Sequence, residues 1–346
     1  MTPLALDCRL LSPSHPTFII AEIGVNHDGC LSRALELVAE AKSAGADAVK
    51  LQIFRAASLM HRSAWFASYQ KGDCSDATPI EMLERYELGA DAIQEVVAAI
   101  RSAGLMPLAT PFSPSDIDTL AGFDLAAIKI ASPDLINYPL IRRVCSLRKP
   151  LLISTGAATL EEVAATVDYL RTLGARFALL HCISSYPTGP TEANLCWIRE
   201  LSVFGVPVGF SDHTTDELTG AIAAGWGACI IEKHLTYDRS APGPDHSASA
   251  DPPQFTRYVR AIRLADQLKG SPGKRPLPCE EDIRQVSRQS LVTTCPLPAN
   301  HVLSESDVTT QRPGTGISPS QINQVLWRRT TCPLPAGTLL QWHMLT

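Results

Sequence analysis

Short apolar runs rich in β-branched residues recur along the chain, and each gives way to apolar spacing of helical period. The runs predict strands at 18–23, 48–53, 106–109, 126–130, 150–153, 177–181, 206–210 and 228–231. The intervening periodic segments predict helices at 31–44, 91–103, 115–120, 138–144, 160–172, 195–203, 217–225 and 253–269. Eight strand–helix alternations over about 250 residues match the size and rhythm of a TIM (β/α)8 barrel. A doubly wound open sheet is the alternative, but no GxGxxG follows the first strand. One break in the rhythm stands at 55–89, polar and irregular with Trp65, Phe66, Tyr69 and Tyr86; a long insertion there reads as a functional lid.

Beyond Gly270 the texture changes. Residues 271–286 are rich in proline and charge and read as a linker. TTCPLPA at 293–299 then recurs at 330–336, each copy followed by an apolar pair, Val302-Leu303 and Leu339-Leu340. The expected organisation is a barrel domain over 1–270 and a small pseudo-symmetric β-rich domain over 287–346. So small a domain buries only a marginal core alone and is expected to lean on the barrel or on a second subunit.

The C-terminal strand ends carry polar residues almost without exception: Glu22, Lys50, Thr110, Lys129, Ser132, Ser154, Tyr186, Ser211, His213, Glu232 and His234. Charge inside an apolar run is costly unless paired, so its recurrence at one relative position argues for a site at the barrel mouth. The stretch 207–235 is the densest part. Two neighbouring strands there run into Ser211-Asp212-His213 and Glu232-Lys233-His234. Parallel strands lie about 4.8 Å apart, so His213 and His234 read either as a metal-ligand pair or as ordinary packed histidines. Lys50 and Gln52 share a face, since side chains alternate along a strand. Lys50, Lys129, Ser132, Ser154, Ser184 and Ser211 make a cationic, donor-rich pocket suited to a phosphorylated carboxylate. Glu22 and Glu232 suit the orientation of hydroxyls or proton transfer. A Lewis-acidic ion beside an anion pocket implies a metal-dependent carbon–carbon lyase or transferase.

Composition narrows the partners. The net charge is −5 and no run of Lys or Arg exceeds two, which disfavours a nucleic-acid partner. No window approaches the roughly 20 apolar residues of a membrane span, and the N-terminus has no signal-peptide pattern. The ten cysteines are dispersed, never as CxxC, and Cys145, Cys182 and Cys229 fall inside apolar runs. That usage fits reduced thiols in a cytoplasmic protein.

The chain resembles the sialic acid synthase family. The motifs that carry the resemblance are AEIGVNH (21–27), VKLQ (49–52), ATPF (109–112), KIAS (129–132), STG (154–156), SSYPTGPTEANL (184–195), GFSDHT (209–214), IIEKHLT (230–236), PGPDH (242–246) and QRPGTG (311–316). They run in family order over nearly the whole chain, and the tail resembles the family's antifreeze-like (SAF) domain. The resemblance implies condensation of phosphoenolpyruvate with an open-chain N-acetylmannosamine-type sugar, releasing phosphate. It implies that His213 and His234 hold a divalent ion, manganese first, with magnesium or cobalt as alternatives. Lys50, Thr110, Lys129, Ser132, Ser154 and Ser211 would contact phosphoenolpyruvate, with Ser184 where some members place an asparagine. Glu22, Gln52, Tyr186 and Asp245 would bind the sugar, and Asp134 stands where some members have a glutamate. Arg312 would enter the partner's barrel in a domain-exchanged homodimer. SSYPTGPTEANL and PGPDH read more like the relatives that make legionaminic or pseudaminic acid, so a 2,4-diacetamido-trideoxy hexose is the alternative sugar. A catalytically inactive sugar-binding barrel is the remote alternative.

Overall fold

The computed structural model describes residues 2–65 and 78–346. The chain starts with a hairpin, β1 (Leu4–Leu6) and β2 (Arg9–Leu11), whose strands are too short to leave a periodicity signal. Then follow β3 (Phe18–Glu22), β4 (Ala48–Ile53), β5 (Met106–Pro111), β6 (Ala127–Ile130), β7 (Leu151–Ser154), β8 (Phe177–Cys182), β9 (Val208–Asp212) and β10 (Ile230–His234). All eight pair in parallel and close in the order β10-β3-β4-β5-β6-β7-β8-β9, the expected barrel. Helices Leu31–Ala44, Ala90–Ser102, Pro114–Leu120, Tyr138–Cys145, Leu160–Thr172, Trp197–Leu201, Thr219–Gly225 and Pro252–Lys269 follow the strands in turn. Their ends carry the expected chemistry. Gly45 closes the first in the left-handed region (φ 88°), and Thr159 with Glu162 makes a capping box for Leu160–Thr172.

Several strands run further than apolar content alone indicates: β5 to Pro111, β9 to Asp212 and β10 to His234. The polar residues at the mouth are therefore in-strand. A polar side chain pointing into the barrel does not interrupt the backbone ladder, so the hydrogen bonding continues past the last apolar residue.

The barrel interior has two storeys. Its lower one is apolar, with Phe18, Ile20, Ala48, Leu108, Ala127, Leu152, Ala178, Leu180 and Ile230 packed against Leu4, Leu6 and Leu11 of the hairpin. The hairpin so plugs the N-terminal end. Two residues further along the same strands, on the same inward face, come Glu22, Lys50, Thr110, Lys129, Ser154 and Glu232. Outward-facing Ile19, Ala21, Val49, Leu51, Ile128 and Ile153 meet the helices in the larger core.

Within 55–89 the structure has two short helices, Ala56–Leu59 and Pro79–Glu84. Residues 66–77, with Phe66 and Tyr69, lie outside the described residues, so the middle of the expected lid does as well. Among the described residues, no helix is long and apolar enough to cross a membrane, and nine cysteines are free.

The chain divides into two compact units, Met1–Ser271 and Pro272–Thr346. The second begins in the stretch read as linker, and Glu281–Ser287 there is helical. Its strands β11 (Ser290–Thr293) and β12 (Val308–Gln311) pair antiparallel. The sequence echo becomes a reciprocal pairing. Leu297 N–H donates to Leu334 O at 2.8 Å, and Leu334 N–H returns a bond to Leu297 O at 2.9 Å. Thr293 Oγ1 donates to Pro335 O at 2.6 Å, and Thr330 Oγ1 to Pro298 O at 2.7 Å. Leu291, Leu303, Ile317, Val325 and Leu340 pack inside this unit as a core of its own.

Candidate active site

One cavity of about 450 Å³ opens at the C-terminal end of the barrel. It is lined by Lys50, Gln52, Thr110, Lys129, Ser132, Asp134, Ser154, Ser184, Tyr186, Ser211, His213, Glu232, His234 and Asp245. Glu22 lies beneath its floor, fully buried. Arg312 belongs to the second unit, where it is exposed and makes no hydrogen bond or ion pair among the described residues.

The floor is a chain of charges carried by neighbouring strands. Glu22 on β3 sits in register with His234 on β10 and Lys50 on β4. Glu22 Oε2 contacts Lys50 Nζ, and Glu22 Oε1 accepts from Gly24 N–H at 2.9 Å and Gln52 Nε2 at 3.2 Å. Lys50 Nζ donates to Thr110 Oγ1 at 3.0 Å. Burial pushes the Glu22 carboxyl above its ordinary range, against the attraction of Lys50. A Cβ on Gly24 would overlap Glu22 Oε1 and the Gln52 side chain, so glycine makes room for this contact.

Lys129 anchors the other side. Its Nζ donates to Ser154 Oγ at 2.6 Å and to Ile130 O at 3.1 Å, and stands 3.8 Å from Glu232 Oε1. Burial depresses the ammonium, offset in part by Glu232. Burial alone would raise Glu232, but Lys129 and Lys50 outweigh it and hold this carboxyl below its ordinary range. Ser211 Oγ donates to Glu232 Oε1 at 2.9 Å, so Ser211 is committed to the carboxylate. Next to Lys129, Ser132 Oγ accepts from Gly156 N–H at 3.0 Å. A Cβ at Gly156 would overlap Ser184 Oγ and lie 2.8 Å from Ser132 Oγ and 3.1 Å from Cys182 Sγ. Ser132 and Ser184 thus close on a bare backbone position and line one cavity with Lys129 and Ser154, a donor-rich cradle of the kind that suits a tetrahedral anion.

The histidines stand on the β9–β10 side. Their ring centroids are 5.5 Å apart, and Tyr186 lies over His213 at 4.1 Å. His213 Nδ1–H donates to Ile183 O at 2.8 Å, so in the neutral ring Nε2 is the nitrogen with a free lone pair. His234 Nδ1 is buried with no hydrogen-bond partner, 3.6 Å from Asp245 Oδ2. Burial and the neighbouring His213 hold the His234 imidazole well below its ordinary pKa, hence neutral. The Asp245 carboxyl is pushed up to about 7 by burial and by Glu22. Among the described residues no group of three or more His, Cys, Asp or Glu converges as a closed metal cluster. Burial alone would lower the His213 imidazole, but the Cys182 sulfur outweighs it and holds the ring above its ordinary pKa. In their deprotonated forms the two imidazoles, one with an orphaned nitrogen, suit a divalent ion whose remaining positions take water or substrate oxygens.

The remaining wall is apolar and escaped the sequence reading: Val25, Phe54, Leu59, Met60, Met82, Leu83 and Phe112. Phe54 and Phe112, edge to face at 6.2 Å, each follow the end of a barrel strand, a repeated position that could have flagged them. Met82 has no such signal, because the helix that brings it in, Pro79–Glu84, is too short to leave a readable period.

The NeuB family matches residues 37–274 and the SAF domain matches residues 288–346. The chain belongs to the NeuB family. It is similar to the N,N'-diacetyllegionaminic acid synthase of Legionella pneumophila, 40% identical over 333 residues covering 94% of each chain. The N,N'-diacetyllegionaminic acid synthase of Campylobacter jejuni is 34% identical over 320 residues, 91% of this chain and 96% of the relative. Among solved structures, the N-acetylneuraminic acid (sialic acid) synthetase of Leptospira borgpetersenii, in complex with citrate, superimposes with a TM-score of 0.73. Its sequence identity is 28%, over 82% of this chain and 95% of that one.

Proposed function

We propose that this NeuB-family enzyme is a transferase that condenses phosphoenolpyruvate with an open-chain N-acetylmannosamine-type sugar, giving a nonulosonic acid and phosphate. The observation that carries the reading is the shared cavity: a lysine–serine cradle beside Gly156 lies in the same pocket as the histidine pair His213 and His234. The cradle suits the phosphate, with Lys129 Nζ and the Ser132, Ser154 and Ser184 hydroxyls as donors. Lys50, held by Glu22 and Thr110, suits the carboxylate end. Gln52, Asp134, Tyr186 and Asp245 face the sugar.

Carbon 3 of phosphoenolpyruvate attacks the sugar C1 aldehyde, water adds at the resulting electrophilic C2, and the adduct collapses with C–O cleavage to release phosphate. His213 and His234 would hold a divalent ion, manganese first, which would supply polarisation of the aldehyde. Lys129 and the cradle hydroxyls stabilise charge on the phosphate as it departs. Glu22, Glu232 and the leaving phosphate are the candidate bases for the proton of the water, and the aldehyde oxygen takes up a proton as it becomes a hydroxyl. The exposed Arg312 of one subunit would reach the N-acetyl group in the partner's barrel, making the working unit a homodimer; the free thiols suit the cytoplasm.

A second sugar is favoured by one specific observation. The apolar wall of Phe54, Leu59, Met60, Met82 and Phe112, together with the two relatives at 40% and 34% identity, supports a 2,4-diacetamido-trideoxy hexose, which offers fewer hydroxyls to satisfy. The test is phosphate release from phosphoenolpyruvate with manganese and each sugar in turn. Release with either sugar supports the reaction and names the substrate. Silence with both overturns it.

A further inference from the structure

Behind the histidines, on the outer face of the same two strands, lies a second set of buried charges that does not touch the cavity. Lys233 on β10 sits in register with Asp212 on β9, one residue from the inward pair Ser211 and Glu232. Side chains alternate, so Asp212 and Lys233 point away from the mouth, where neighbouring outward positions hold Phe210 and Ile231. Both are almost completely buried, at 1% and 3% exposure.

Their bonds converge on the backbone next to His213. Asp212 Oδ1 accepts from Thr214 N–H at 2.8 Å. Asp212 Oδ2 accepts from Lys233 Nζ at 3.2 Å and from Tyr258 O–H at 2.6 Å. Lys233 Nζ also donates to Thr214 O, and its ammonium lies 5.0 Å from the centre of the Tyr258 ring. Thr214 is thereby held at its N–H by Asp212 and at its carbonyl by Lys233. His213 lies between them, its carbonyl accepting from Thr188 N–H at 2.9 Å and its Nδ1 bonded to Ile183 O.

A buried ion pair is poor value as a stabiliser, since apolar side chains of similar volume usually do as well or better. Its directional bonds, however, set the position of a backbone segment in a way that apolar packing does not. We propose that Asp212, Lys233 and Tyr258 form a positioning network that sets the place of His213 and thereby the affinity of the histidine pair for a divalent cation. The proposal rests on the metal role of His213 and His234; none of the three residues touches substrate.

The test uses the full-length protein without substrates and titrates Mn²⁺, following the free ion by electron paramagnetic resonance. The charge-neutral double variant Asp212→Asn/Lys233→Met removes both partners together, and Tyr258→Phe removes one hydroxyl with little change in volume. Fold is checked by circular dichroism and thermal melting, and Arg257→Ala, an exposed ion-pair residue on the Tyr258 helix, is the control. Affinity of the folded double variant is expected to fall about 10- to 100-fold, and that of Tyr258→Phe by a smaller factor, with the control unchanged. Folded variants that bind Mn²⁺ like the wild type overturn the network while leaving the metal site standing. A wild type that binds no Mn²⁺ overturns the metal site itself, and the network with it. If the double variant fails to fold, Tyr258→Phe decides between the same outcomes.

Discussion

Lys129 reaches from β6 to Ser154 on the adjacent β7, donating to its hydroxyl at 2.6 Å with Glu232 3.8 Å away. The ammonium is thus aimed before any anion arrives, which spares the cost of ordering it during the reaction. Lys129→Met should keep the barrel folded, because the stem volume is retained. Charge-assisted hydrogen bonds contribute about 1.5–3 kcal/mol each, so kcat/KM for phosphoenolpyruvate should fall about 100-fold or more. Steady-state phosphate release checks this, and a near-normal value would remove Lys129 from the anion site.

Gly156 is the bare position that lets Ser132, Ser184 and Cys182 close in. Gly156→Ala should force those side chains apart at a cost of about 1–3 kcal/mol. The expected signature is a rise of about tenfold in KM for phosphoenolpyruvate, with melting shifted by only a few degrees. Unchanged kinetics in the alanine variant would mean that the anion binds elsewhere.

His213 presents Nε2 because Ile183 O occupies its Nδ1 proton. His213→Ala should lower divalent-cation affinity by more than the roughly 10–100-fold typical of supporting residues, and activity with it. Isothermal titration with Mn²⁺ reads the first effect independently of the second. Wild-type affinity in the variant would contradict the ligand assignment.

Arg312, exposed in the second unit, should matter to the sugar and not to phosphoenolpyruvate. Arg312→Ala is expected to raise the sugar KM about tenfold or more, on the scale of one lost charged hydrogen bond, with the phosphoenolpyruvate KM within about twofold. Light scattering on the same samples reports the oligomer. A fully active monomer would rule out an arginine delivered by a partner.

His27 carries a stability prediction. It is buried, its Nδ1 accepts from Gly29 N–H at 3.1 Å, and burial lowers its pKa to about 4. With the folded value below the ordinary 6.5, the neutral ring stabilises the fold above pH 6.5, and that contribution is lost as the pH falls toward 4. The loss should be on the order of 3 kcal/mol. Urea unfolding of wild type and His27→Asn at pH 7 and pH 4.5 checks it: the variant should show the shallower pH dependence, and parallel curves would refute it.

The strand–helix rhythm was legible in the sequence because periodicity in a parallel barrel is local: each strand is a short apolar run and each helix an amphipathic segment. The rim residues were legible for a related reason. Lys50, Lys129, Glu232 and His234 interrupt apolar runs, and charge in such a place demands a partner. The TTCPLPA echo likewise announced a two-fold unit, which the Leu297–Leu334 bonds complete.

What the sequence could not contain is which groups face each other. The barrel brings Glu22 to Lys50, Ser211 to Glu232 and His246 to Asp28 across separations of 28, 21 and 218 residues, and the register of neighbouring strands and the packing of the loops beyond them decide such pairings. Leu59 and Met82 of the apolar wall stand on helices of four and six residues, too short for a period to be read. The hairpin plug was hidden because three-residue strands fall below any window. By itself the sequence determined the barrel, its small companion domain and the polar rim at the strand ends, since these follow from local pattern. The tertiary structure alone decided that the rim divides into a lysine–serine cluster, a histidine pair and an apolar wall, since that division is a matter of distance across the mouth.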